Sequence, residues 1–298
     1  MIYDVRQTTT CVYASPVARA RHVLRLTPVS RDGERVHVAA LQIVPEPIHR
    51  REGQDFFGNR LTWIEIDAPH DVLTVKLSAR VAVDAEVAPA ASTTPAWEAV
   101  REEAFGTSDI GPMSPAHFLF PSRIVSLDPE IRDYVRQSFT PGRPILEAAI
   151  ELIGRMKADI VYEIGATTVT TTPPMSFALR RGVCQDFAHI MISGLRGLGL
   201  PAAYVSGYLR TAPRSGTARL QGADAMHAWV LLWCGPTSGG AMSGGWIGLD
   251  PTNAVMAAED HVMLAIGRDY TDVAPMDGVI LGSGGQRIDV SVNVTPVG

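Results

Sequence analysis

The chain has 298 residues, of which 46% are hydrophobic and 19% charged, and it carries a net charge of −5. That describes a globular protein of one large or two ordinary domains with a substantial core. The acidic balance, with Lys76 and Lys157 as the only lysines, gives no basic footprint for nucleic acid or a membrane surface.

Residues 1–85 read as a β-rich domain. The clearest strand is 72–83, where Leu73, Val75, Leu77, Ala79, Val81 and Val83 alternate with Thr74, Lys76, Ser78 and Arg80. A period of two means one buried face and one wet face. Weaker alternations run over 21–29 and 35–44, and Phe57-Gly58-Asn59 is a turn before a strand at 61–66. Short strands with turns between them point to an antiparallel sandwich or half-barrel. Residues 86–121 are rich in Ala, Pro, Ser and Thr and read as a linker holding one short helix, Ala96–Ala104.

From 122 to 298 the pattern turns α+β. Asp128-Pro129 is an N-cap with proline at the first helical position. Ile131, Tyr134, Val135 and Phe139 follow at helical spacing. Pro144 opens a longer helix that keeps Ile145, Ala149, Leu152, Met156 and Ile160 on one face. A Thr-rich loop, 167–174, leads to a short helix over Met175–Arg180. Gly182 then precedes Cys184, and Phe187, Ile190, Met191, Leu195 and Leu198 mark a helix that ends at Gly199-Leu200-Pro201. Strands follow at 202–209, 226–233 and 245–250. A last alternation, Ile288, Val290, Val292 and Val294, is a terminal strand.

Chemistry concentrates at three residues. Cys184 lies in the first turn of its helix, where free backbone N–H groups and the positive dipole end favour a thiolate, the attacking form of cysteine. His227 lies on one strand, and Asp250 ends the strand that follows it after a Gly/Ser-rich connection, 235–244. Antiparallel neighbours bring facing side chains within reach. Asp250 can then hold one ring nitrogen of His227 while the other faces Cys184, the layout of a nucleophile with an oriented base. The other cysteines, Cys11 and Cys234, read as inert buried thiols. The three lie far apart without metal-ligand spacing, which predicts no zinc site. Their odd number, and an N-terminus without an apolar leader, predict a reducing, cytoplasmic setting. No apolar run approaches the roughly 18 residues of a membrane span.

These blocks, Gly182 to His189, Gly199 to Ala202 with Ser206-Gly207-Tyr208, His227-Ala228-Trp229, Gly245 to Asn253, and His261 through Pro275, resemble the bacterial transglutaminase-like superfamily. The β-rich start resembles the N-terminal domain that precedes that core. The resemblance implies a papain-like transglutaminase core, a Cys-bearing helix packed on an antiparallel sheet, after an all-β domain. It implies a Cys184–His227–Asp250 triad acting through a thioester on a peptide or protein amide, with no metal or organic cofactor. The oxyanion is expected on the Cys184 N–H plus a second donor, for which Gln185 and Tyr162 are candidates. Asp186 is a candidate support, alone or paired with His189. Arg180 and Arg181 are weaker candidates for tuning the thiol or binding a carboxylate. Trp229 and Arg268, the latter with Asp269 and Tyr270, are candidates for the cleft wall. Hydrolysis is the expected outcome. The alternatives are a transglutaminase or acyltransferase that resolves the thioester with an amine, and a non-catalytic binding or scaffold protein on the same fold.

Overall fold

The computed structural model describes residues 1–84, 88–211, 213, 215–216, 220, 225–236 and 244–297. The expected boundary at 85/86 and most of the Gly/Ser-rich connection before Asp250 lie outside the described residues.

The first half is a pair of antiparallel sheets. Six strands come first: β1 (Ile2–Val17), β2 (Arg19–Leu24), β3 (Glu34–Val44), β4 (His49–Gln54), β5 (Arg60–Ile66) and β6 (His70–Val83). One sheet contains β1, β6 and β3, and the other contains β2, β5 and β4. The 72–83 alternation lies within β6, whose residues Leu73, Val75, Leu77 and Val81 are buried. Two strands escape periodicity for visible reasons. β1 turns the polar Gln7 and Thr9 inward, and β4, HRREGQ, is exposed along nearly all its length.

The stretch read as a linker is part of the core. Helix α1 (Trp97–Gly106) buries Trp97, Val100 and Ala104 in the same apolar cluster as the later helices. Helix α2 (Pro129–Arg136) starts as expected, with Asp128 accepting from the N–H groups of Glu130 and Ile131 at 2.9 and 3.0 Å. Helix α3 (Ile145–Asp159) follows, then β7 (Val161–Tyr162), α4 (Pro173–Leu179), β8 (Arg181–Gly182) and α5 (Cys184–Gly197). The second sheet system contains β9 (Ala202–Leu209), β10 (Met226–Trp233), β11 (Trp246–Asp250), β12 (Val255–Met256) and β13 (His261–Gly267) in the order β12-β11-β10-β9-β13. Helix α5 packs on β9 and β10. The whole is a mixed α+β fold in which a helix carrying the cysteine lies on an antiparallel sheet.

After β13 the chain does not stay with this core. Past α6 (Tyr270–Val273), β14 (Met276–Leu281) pairs with β2, and β15 (Gln286–Pro296) pairs with β1 along eleven residues. A division at 122–298 therefore separates strands that are hydrogen-bonded to one another. The apolar cores also meet: Tyr208, Val262 and Leu264 of the five-stranded sheet pack into the cluster formed by the N-terminal strands. Polar clamps cross the seam among the described residues. Asn59 donates to the Ile266 carbonyl at 2.7 Å and accepts its N–H at 2.8 Å. Tyr208 donates to Gln7 Oε1 at 2.6 Å. Glu34 accepts the Met263 N–H at 2.8 Å. The inward Gln7 that breaks the β1 pattern is thus satisfied across the seam, as a buried polar group must be.

Candidate active site

Cys184 is the first residue of α5, with Val183 as its N-cap. Asp186, one turn in, folds back so that Oδ2 accepts the Val183 N–H at 2.8 Å and the Thr167 hydroxyl at 2.6 Å. This satisfies one of the donors that a helix start leaves without an intrahelical partner. Glycine is required at 182 because a Cβ there would lie 2.5 Å from Asp186 Oδ2 and 2.7 Å from its Cβ. The local sequence Gly-Val-Cys-Gln-Asp therefore sets the cysteine at a capped helix tip. Cys184 is half-buried, whereas Cys11 and Cys234 are buried. Burial pushes both of those thiols up, away from the thiolate. Among the described residues no acceptor takes the Cys184 backbone N–H.

His227 and Asp250 meet across β10 and β11, antiparallel neighbours in which Val230 faces Leu249 and Trp233 faces Trp246. His227 Nε2 lies 2.9 Å from Asp250 Oδ2, and both side chains are fully buried. The other ring nitrogen, Nδ1, has no partner in strict hydrogen-bond geometry among the described residues. Cys184 nevertheless lies near enough to act on the ring as a charge and as a hydrogen-bond partner. Burial pulls His227 toward the neutral form. Asp250 and Cys184 outweigh it and raise the imidazole to about 10. Burial likewise disfavours the Asp250 carboxylate, and His227 and His261 reverse that, leaving it well below the usual carboxylate range.

Asp250 is held by five donors. Oδ1 accepts the backbone N–H groups of Thr252 and Asn253 at 2.9 and 3.1 Å. Oδ2 accepts from Asn253 Nδ2 at 2.7 Å, from His227 and, at 3.2 Å, from His261 Nε2. His227, Asp250 and His261 offer metal-ligand atoms within 4.8 Å of one another, but all three atoms are committed to these hydrogen bonds. His261 was passed over in the sequence as part of a longer motif. Its signal was the one that marked Asp250, a polar residue at the very end of an otherwise apolar strand.

The remaining sequence candidates fall as follows. Tyr162 is half-buried beside the site. Burial first, then the charges of Cys184 and Asp250, push its phenol up to about 12, so it stays a neutral donor. Gln185 spends its amide on the Val169 carbonyl at 3.2 Å. Asp186 and His189 do not pair with each other. Asp186 caps the helix, and His189 Nε2 accepts the Tyr270 N–H at 3.2 Å. Burial holds the His189 ring neutral, at about 4. Arg180 lies over the Phe177 ring at 3.8 Å and Arg181 pairs with Glu163 at 2.9 Å. Arg268 is half-exposed and ion-paired with Asp272 at 2.8 Å. Asp269 caps α6 and accepts the Ile124 N–H, which makes it a brace. Trp229 is buried and stacks on His227 with ring centres 6.3 Å apart.

A cavity of about 830 Å³ is lined by Arg31, Phe57, Met113, Trp233 and Trp246 among others. It contains none of Cys184, His227 or Asp250, and Trp233 and Trp246 sit at the opposite end of the β10–β11 pair from the carboxylate. Chemistry, and not volume, locates the site.

Comparison with known proteins gives the family and the fold. Residues 3–82 match the bacterial transglutaminase-like N-terminal region, and residues 132–251 match the transglutaminase-like superfamily. An uncharacterized protein of Mycobacterium tuberculosis H37Rv is 35% identical over 298 residues, covering 99% of this chain and 92% of that one. One from Mycobacterium leprae is 31% identical over 291 residues, covering 98% and 97%. The crystal structure of a putative cysteine protease from Cytophaga hutchinsonii shares the fold at a TM-score of 0.76 and 20% identity, over 100% of this chain and 92% of that one. With a capped cysteine helix on an antiparallel sheet and relatives matched end to end, the chain belongs to the transglutaminase-like superfamily and carries the family's bacterial N-terminal region.

Proposed function

We propose that this chain hydrolyses an amide or peptide bond through a cysteinyl thioester, with Cys184 as nucleophile, His227 as acid and base, and Asp250 as orienter. The observation that carries the reading is the state of His227. One nitrogen is fixed on a fully engaged carboxylate, and the other is left for Cys184. The ring's raised basicity keeps a proton available beside the sulfur.

The steps follow from that geometry. Cys184 Sγ attacks the amide carbonyl, and the oxyanion takes the free Cys184 N–H at the positive end of α5. Tyr162, a neutral phenol next to the sulfur, is the better candidate for a second donor, because the Gln185 amide is already bound. His227 protonates the departing amine, and a thioester remains. His227 then takes a proton from water as it attacks the thioester. The acid leaves and the thiol is restored. Asp250 stabilises the imidazolium throughout.

The half-buried setting of Cys184 supports water as acceptor, since amine transfer needs water kept out. Product mass analysis with and without a primary amine tests this. Hydrolysis that persists at high amine concentration is expected. Amine incorporation exceeding hydrolysis would replace the hydrolase reading with an acyltransferase. A binding or scaffold role predicts instead that Cys184 reacts with iodoacetamide at pH 6 no faster than glutathione does.

A further inference from the structure

We propose that His261 is a positioning residue of this active site, holding Asp250 Oδ2 so that the carboxylate stays aimed at His227. The proposal rests on the hydrolase reading above. Four of the five bonds to Asp250 come from its own turn, residues 252 and 253, or from His227 itself. Donors from the turn move with Asp250 and so fix its rotamer only relative to the chain beside it. His261 is different. It opens β13, which lies beyond β10 and β9 from β11, so its bond ties the carboxylate to the far side of the sheet.

Its tautomer is set by a second contact. His261 Nδ1 accepts the Ala258 N–H at 3.4 Å, which leaves the proton on Nε2, facing Asp250 at 3.2 Å. His261 therefore turns its Nε2–H toward the carboxylate it supports. Packing fixes the ring as well. It meets Trp229 edge to face at 5.2 Å, and Trp229 in turn stacks on His227. Trp229 can lie there because Gly207 faces it, where a Cβ would sit 2.4 Å from the indole. One indole thus spaces both imidazoles about a single carboxylate oxygen.

A donor to a buried carboxylate contributes more than a neutral bond, and its loss is expected to slow the nucleophile by about tenfold or more. The test is the rate of Cys184 alkylation by iodoacetamide at pH 6, read by peptide mass spectrometry, with thermal melting in parallel. His261→Leu is expected to slow alkylation about tenfold. His261→Gln, whose Nε2 can occupy the imidazole donor's place, is expected to stay within about threefold of the wild type. A merely structural His261 would give no such rescue. Wild-type speed in the Leu protein, or a Gln protein as slow as Leu, overturns the proposal alone. A wild type no faster than glutathione sinks the hydrolase reading and this proposal with it. If the Leu protein fails to fold, His261→Asn replaces it, because its shorter amide stays polar but falls short of Oδ2.

Discussion

Glu34 is a buried carboxyl in the seam between the N-terminal strands and the five-stranded sheet. Burial raises it from an ordinary 4.5 to about 8, even though the Met263 N–H and the nearby Arg31 both pull it down. One oxygen, Oε2, accepts the Met263 N–H, and the other has no partner among the described residues. Glu34 lines a cavity of about 40 Å³ together with His261 and Trp229. In the native state at pH 7 the group is therefore mostly protonated. In the unfolded chain it is ionised.

The sign follows from that difference. A folded value above the unfolded one gives stability that is complete below about 4.5 and lost as pH rises through about 8. Each unit of separation is worth about 1.4 kcal/mol, so by pH 7 the wild type has lost about 3 kcal/mol to keeping Glu34 neutral. Glu34→Gln keeps the oxygen that accepts Met263 and removes the titration. The variant is expected to match the wild type near pH 4.5 and to exceed it by about 3 kcal/mol at pH 7. Urea unfolding at fixed ionic strength from pH 5 to 9 measures the gap. A gap that stays flat with pH, or a variant less stable than the wild type at pH 7, would refute the reasoning.

Asp250→Asn turns an amide N–H toward donors already converging on that carboxylate. It is expected to cost about 3–5 kcal/mol in urea unfolding, as breaking a buried pair does, and to lower kcat by about 10²–10⁴-fold. Gly182→Ala drives a Cβ into Asp186 and undoes the cap on α5. Overpacking of about 1–3 kcal/mol and loss of a cap worth about 1 kcal/mol are expected together, and Asp186→Ala should lose only the cap. Denaturation of the two single variants and the double tests this, the double falling short of additivity because the cap is lost once.

Much of the site was legible before the fold was known, because it depends on local chemistry. A glycine before a cysteine at a helix start, and a carboxylate at the end of a strand, are readable from neighbours in the chain. The strand limits at 202–209 and 226–233 match for the same reason, since long apolar runs bounded by glycine and proline leave little choice. What escaped depends on distance in sequence. His261 reads only as the start of a longer motif until the sheet brings it to Asp250. In the sequence Arg196 has no assigned role. In the fold it is buried, with its guanidinium on the carbonyls of Ala202, Phe120 and Arg268. A Pro- and Ala-rich stretch reads as a linker because composition cannot show that Trp97 and Phe118 are buried against distant helices.

The same blindness explains the domain division. Composition shifts near residue 86, and the candidate site lies after 122, so the chain looks like a catalytic unit behind a separable β-domain. The pairings argue otherwise. Strands β14 and β15, the last in the chain, complete the two sheets that the first strands begin. Removing residues 1–84 would leave eleven residues of β15 without their neighbour and would expose Tyr208, Val262 and Leu264. It would also strand Ile266 and Met263, whose backbone groups are served by Asn59 and Glu34. Each such loss is of the kind that costs about 1–3 kcal/mol, against a total stability of about 5–15 kcal/mol for a domain. A fragment spanning 85–298 is therefore expected to be insoluble or unfolded by circular dichroism. Co-expression with residues 1–84 as a separate chain is expected to restore a folded complex with a reactive Cys184. A fragment that folds alone and alkylates at the full-length rate would show that the seam supports nothing at the active site, and that β13 holds His261 in place unaided.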